Sequence, residues 1–161
     1  MTKRTERANS TEHQFSTFLV AGRLYGIDVT KVQEIVRPMP ITSIPLAPNY
    51  VTGLINLRGQ VATAIGLREL FGIEEAASSE CMNVVCRIEG SLISLHVDQI
   101  ADVMYVKNEH FESTPQTIPE QVRKYMDGVY KTEGNLLSVV NIDKIRENIN
   151  ANNPGKGLKA A

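Results

Sequence analysis

Three residues in the stretch SLHVD, Ser94, His96 and Asp98, are of the types that make a hydrolytic relay. They alternate, so a strand would turn all three to one face. Neighbours at i and i+2 lie about 7 Å apart at Cα, too far to hand a proton along a single strand. No nucleophile elbow or glycine-rich oxyanion loop accompanies them, and polar outward positions on a half-buried strand are expected for all three. Metal chemistry fares no better. The chain has two cysteines, Cys81 and Cys86, and neither has a histidine or further cysteine at ligand spacing. No metal or cofactor is expected, and reduced, partly buried thiols are. Gly22, Gly26 and Gly53 stand apart and open no phosphate-cradling helix.

One residue is harder to place. In LINLRGQ (54–60) two apolar runs meet at Arg58-Gly59. A hairpin tip needs a residue tolerant of positive φ, which explains Gly59. It does not explain Arg58. Arginine's planar fork suits a protein interface, and the residues alone also allow a solvated tip arginine.

The composition sets bounds on partners. The 161 residues are 42% apolar and 22% charged, with a net charge of −1. That balance lacks the strong basic bias of a phosphate-binding surface, and aromatics make up only 6%, with no tryptophan to stack on bases. No nucleic-acid partner is expected, although small barrels as a class sometimes bind single strands. The basic start has no apolar run behind it, and no segment approaches the roughly 18 apolar residues of a membrane span. The expectation is a cytoplasmic domain with no direct membrane insertion.

The chain also repeats itself. Shifted by 75 residues, Tyr50 falls on Tyr125, Gly53 on Gly128, Gly59 on Gly134, Ile65 on Val140 and Leu67 on Ile142. Shifted by 68, Val20 falls on Ile88, Gly22 on Gly90, Ile27 on Leu95, Val32 on Ile100, Glu34 on Asp102 and Ile35 on Val103. The second copy carries the longer connection, near 105–124. Each copy reads as short strands with tight turns, closed by a helical turn at LRELFG with Gly72 as its stop. This predicts an all-β fold with short helices: two pseudo-symmetric, five-stranded SH3-like barrels, one from 15–73 and one from 83–147. A unit of about 65 residues buries only about 60% of its unfolded surface, so the two should share one hydrophobic core and leave a groove between them. The joint is EEAASSE (74–80), and residues 1–14 and 150–161 are expected to be tails flanking a domain at 15–149.

Where the copies agree, the shared fold suffices as a cause. Val32 and Ile35, matched by Ile100 and Val103, are assigned in part to the barrel core, and Glu34 to the solvent side of an edge strand. Where they differ at an exposed point, the fold is no explanation: the first tip carries Arg58 and the second Glu133.

YGIDVTKVQEI (25–35), IPLAPNYVTGLINLRG (44–59) and GLRELFG (66–72), followed by LHVDQIADV and YMDGVYKTEGNLLSVVNIDKI, resemble the CheW family of chemotaxis coupling proteins over nearly all of 15–147. The resemblance implies two small barrels on a common core and a non-enzymatic adaptor. Such adaptors bridge the cytoplasmic tip of methyl-accepting chemotaxis proteins to the regulatory domain of the histidine kinase CheA. It implies partner-binding roles for Arg58, Glu34 and Val32, and for Ile35 and Val103 near the groove. It also implies a chain that is monomeric when isolated and recruited to membrane receptor arrays. Thr63 and Gly66 stand where the family often has proline and aspartate. An adaptor of another chemosensory pathway, such as surface motility, is the alternative within the same resemblance.

Overall fold

The computed structural model describes residues 12–74 and 81–151. Twelve strands are present: β1 (Glu12–Val20), β2 (Arg23–Asp28), β3 (Val32–Val36), β4 (Val51–Leu57), β5 (Gln60–Gly66), β6 (Met82–Ile88), β7 (Ser91–Val97), β8 (Gln99–Ile100), β9 (Met104–Lys107), β10 (Phe111–Glu112), β11 (Met126–Thr132) and β12 (Asn135–Val140). Among the described residues there are also three short α-helices, Leu67–Leu70, Glu120–Arg123 and Ile142–Ala151, and two 3-10 turns, Val29–Lys31 and Asn108–His110. Most of the joint lies outside the described residues. Two tail boundaries need correction. Glu12, His13 and Gln14 belong to β1 and pair with β9, while Asn150 and Ala151 end the last helix.

The strands form two sheets of the SH3-like barrel type. One runs β3-β6-β7-β5-β4. In the other, β8 and β9 both pair with β1 and act as one broken edge strand, followed by β2, β12, β11 and β10. Under the repeat, β1, β2, β4 and β5 correspond to β6, β7, β11 and β12, and β3 to the β8–β9 edge. The two strand orders then become identical, apart from β10, whose place beside β4 is taken by a single bridge between Thr42 and Leu54.

The sheets do not follow the sequence copies, however. Hairpin β6–β7 of the second copy sits in the first sheet, between β3 and β5. Hairpin β1–β2 of the first copy sits in the second sheet, between the β8–β9 edge and β12. The assignment of one barrel to 15–73 and the other to 83–147 is therefore corrected. Each sheet is built from both copies, joined by the parallel pairs β5–β7 and β12–β2. The physical reason is that a hairpin carries the same apolar pattern whichever copy it docks on.

The core follows from this exchange. In β6, Val84, Cys86 and Ile88 face one large cluster and Val85 faces a smaller one; in β7, Ile93, Leu95 and Val97 oppose Leu92 in the same way. The large cluster takes residues from both sheets, among them Phe18, Ile27, Ile65, Leu70, Leu95 and Val129. A small one fills each sheet's other face, with Ile55, Ala62 and Val85 in one and Phe15, Tyr130 and Leu137 in the other. Ile142, Ile145 and Ile149 on the last helix share a stripe that closes over the large cluster.

Turn chemistry explains two conserved features of the repeat. Gly53 and Gly128 each follow a register shift, with φ of +147° and +154°. A Cβ there would run into the Thr42 carbonyl in one case and the Phe111 ring in the other.

Candidate protein interface

Arg58 occupies the first position of a two-residue tip between β4 and β5, with φ of +51°, followed by Gly59 at +91°. Positive φ at both positions matches the twist of the flanking strands. The Asn56 side chain accepts the Gly59 N–H at 2.7 Å and fixes the turn. A left-handed conformation costs a non-glycine residue about 1–2 kcal/mol. The Arg58 guanidinium donates to the Glu34 carboxylate, with the arginine side chain 68% exposed. An ion pair that open to water contributes about 0.2–1 kcal/mol, so it does not offset the strain.

Glu34 reaches Arg58 because β3 is bulged. Val32 pairs with Cys86 and Glu34 with Val85, so two residues of β3 span one of β6. The bulge puts Glu34 on the side of Val85, near the β4–β5 tip, rather than simply on the solvent side of the edge. Beside this pair, Arg87 donates to the side-chain oxygens of Gln33 at 2.7 Å and Gln60 at 3.1 Å. The result is a polar surface on the first sheet with an exposed guanidinium at the hairpin tip.

The remaining candidates divide. Val32 packs against the large cluster, as does its counterpart Ile100. Ile35 and Val103 are 37% and 50% exposed, which corrects their assignment to the core. Ile35 shares β3 with Val32 and Glu34, whereas Val103 sits between β8 and β9, at the edge of the other sheet. The structure brings Arg58 to Glu34, keeps Val32 and Ile35 on the same strand, and places Val103 apart.

The SLHVD residues do not form a relay. Ser94 is 1% exposed and its hydroxyl has no partner among the described residues. His96 Nδ1 lies 3.1 Å from the Asn83 side-chain oxygen. Asp98 is buried and accepts two bonds from Arg68, at 2.8 and 2.6 Å, and one from the Ala21 N–H at 2.8 Å. Hydrogen bonding from Arg68 holds the Asp98 carboxyl below its ordinary range, against the opposing effect of burial. The expectation that Ser94 and Asp98 face solvent is thus corrected. Ser94 lies on the central strand β7, covered on both faces, and Asp98 is buried directly after that strand.

The Arg68–Asp98 pair was not apparent from sequence. Under the repeat, Arg68 corresponds to Asp143 and Asp98 to Thr30, and Asp143 pairs at 3.6 Å with Lys31, next to Thr30. The bridge recurs with its charges reversed, which a search for identical residues passes over. Burial raises the Cys86 thiol to about 12, and Cys81 is also raised by burial, so neither is poised as a nucleophile. No group of metal-ligating side chains and no helix able to cross a membrane occurs among the described residues.

Comparison with known proteins agrees with this architecture. Residues 14–149 match the CheW-like domain. A chemotaxis protein CheW of Treponema pallidum (strain Nichols) is 34% identical over 142 residues, covering 85% of this chain and 84% of that protein. One from Helicobacter pylori is 28% identical, covering 82% and 80%. The crystal structure of the scaffolding protein TtCheW from Thermoanaerobacter tengcongensis superposes with a TM-score of 0.73 at 29% identity, covering 81% of this chain and 84% of that one. With the duplicated sheets, the arginine-tipped hairpin and these likenesses all in agreement, the chain belongs to the CheW-like domain family.

Proposed function

We propose that this chain, by family a non-enzymatic scaffold of chemotaxis, couples the cytoplasmic tips of methyl-accepting chemoreceptors to the regulatory domain of the histidine kinase CheA. Its place of work is the cytoplasmic face of receptor arrays, and the isolated chain is a monomer. Arg58 and Glu34 form the polar part of the partner surface, Val32 and Ile35 its apolar part on the same strand, and Val103 a separate contact on the other sheet. The observation that carries this reading is Arg58 itself. It is held at a strained tip position, exposed to solvent, with an ion pair too exposed to account for it.

The test is a titration of the chain with a CheA-type regulatory domain and, separately, with a receptor-tip fragment. Arg58→Glu, which copies the other tip's Glu133, runs beside the wild type. An interface arginine of hot-spot quality contributes about 2 kcal/mol or more, so affinity for at least one partner falls roughly 30-fold with the circular dichroism spectrum intact. Undiminished binding by the variant returns Arg58 to a solvated tip. Wild-type chain that binds neither partner removes the coupling role.

A further inference from the structure

The duplication supplies an internal control for what the fold requires. In the first sheet the parallel pair β5–β7 runs through five rungs, from Ala62 with Leu92 to Gly66 with His96. The corresponding pair β12–β2 keeps the register but only two rungs, Ser138 with Tyr25 and Val139 with Gly26. A cavity of about 580 Å³ lies where the strands part, beside Leu24 and Leu136, with Ile118 in its wall. That volume falls within the range of small-molecule sites.

Its polar groups are few and unengaged. Among the described residues, Arg23 is the one charged residue lining the cavity; it is exposed and has no ion-pair or hydrogen-bond partner there. Tyr25 is 4% exposed, and its hydroxyl likewise has no partner among the described residues. Ser138 is its neighbour across the two strands and also lines the cavity. The Tyr25 ring is packed in the core while its hydroxyl opens on the cavity with no partner among the described residues, a position open to a polar group supplied from outside. The matching positions of the other sheet hold Ser91, Ile93 and Thr63, with no charge and no aromatic hydroxyl. The Tyr25 ring serves the core beside Phe18 and Phe71, as Ile93 does in the other sheet, but the fold needs neither the Arg23 charge nor the Tyr25 hydroxyl.

We infer that this cavity binds a small amphipathic carboxylate. Its apolar body lies against Leu24, Ile118 and Leu136, and its carboxylate accepts hydrogen bonds from the Arg23 guanidinium and the Tyr25 and Ser138 hydroxyls. A cation has no counter-charge in the lining, and a neutral alcohol leaves Arg23 unpaired. The site lies on the second sheet, away from the Arg58 tip, and stands independently of the coupling role.

Decanoate, decanol and decylamine, each below its aggregation threshold, are titrated into the 15N-labelled full chain and followed by amide chemical shifts. Decanoate saturates and moves Arg23, Tyr25 and Ser138, while decanol binds about tenfold more weakly and decylamine does not bind at those residues. Arg23→Gln weakens decanoate about tenfold and leaves decanol unchanged, and Tyr25→Phe and Ser138→Ala weaken it by smaller factors. The shift spectra themselves report whether each variant is folded, and loss of folding in one leaves the other two to decide. Non-saturating shifts, shifts centred on other residues, or equal affinity for decanoate and decanol would each overturn the assignment.

Discussion

Arg58 shows how a residue can be costly where it stands and still be kept. Asn-Gly is the pair most suited to a tip with two positive φ values, because asparagine tolerates the left-handed region. Arg58→Asn should therefore raise stability by up to about 1 kcal/mol, equivalent to ~2–4 °C in Tm for a chain of this size, while partner affinity falls. Thermal melts and the two titrations above, run on the same preparation, separate these effects. A loss of more than about 2 kcal/mol in stability would instead make Arg58 a residue of the fold. Gly66 is the opposite case, a small residue where the family resemblance implies aspartate. The Glu69 carboxylate lies in the space that a side chain at Gly66 would fill. Here the departure is matched by a neighbour, so it leaves no gap at the helix start.

At the scale of elements, Asp98, held by Arg68, is a polar tie between the sheets. Asp98 follows β7 of the first sheet, yet it accepts the Ala21 N–H from the β1–β2 turn of the second, and its own N–H donates to the Leu19 carbonyl at 3.0 Å. Both side chains are nearly buried, at 12% and 10% exposure, so solvent screens the pair little. Because its pKa is lowered on folding, Asp98 contributes stability that is present above its unfolded pKa, about 3.9, and is lost as pH falls through the folded value. Asp98→Asn should cost about 3 kcal/mol at neutral pH, with the gap to wild type closing as the pH drops below ~4. Urea unfolding of both proteins across that range measures it. A gap that stays constant with pH would mean the carboxylate charge does not hold the sheets together. The sequence reading missed this tie because the repeat preserves it only with reversed charges. It read the β4–β5 hairpin, its tip and the helix at Leu67–Leu70 correctly because each is encoded within a few neighbouring residues. Ile35 was misplaced because the bulge at Gln33 is a tertiary feature that alternation does not reveal.

At the scale of the whole molecule, the repeat identified the folding motif but not its connectivity. Apolar alternation, turn glycines and strand lengths are the same whether hairpin β6–β7 joins its own copy or the other one, so local sequence carries no preference between the two. What favours exchange is the core. Central strands buried on both faces, such as β6 and β7, need cover that one copy of about 65 residues supplies poorly, and exchange lets both copies close over one shared cluster. Each fully buried Ile, Leu or Phe contributes about 1.5–3 kcal/mol, and neither copy alone assembles the cluster that buries them. The two arrangements differ in a measurable way. If each copy were its own barrel, chains spanning 12–74 and 81–151 would each show sheet structure in isolation. With the hairpins exchanged, each should be largely unfolded by circular dichroism when alone, and equimolar mixing should restore the native spectrum with a concentration-dependent melting temperature. A stable sheet in either fragment by itself would show that the exchange is a consequence of covalent linkage and that one copy's core is enough.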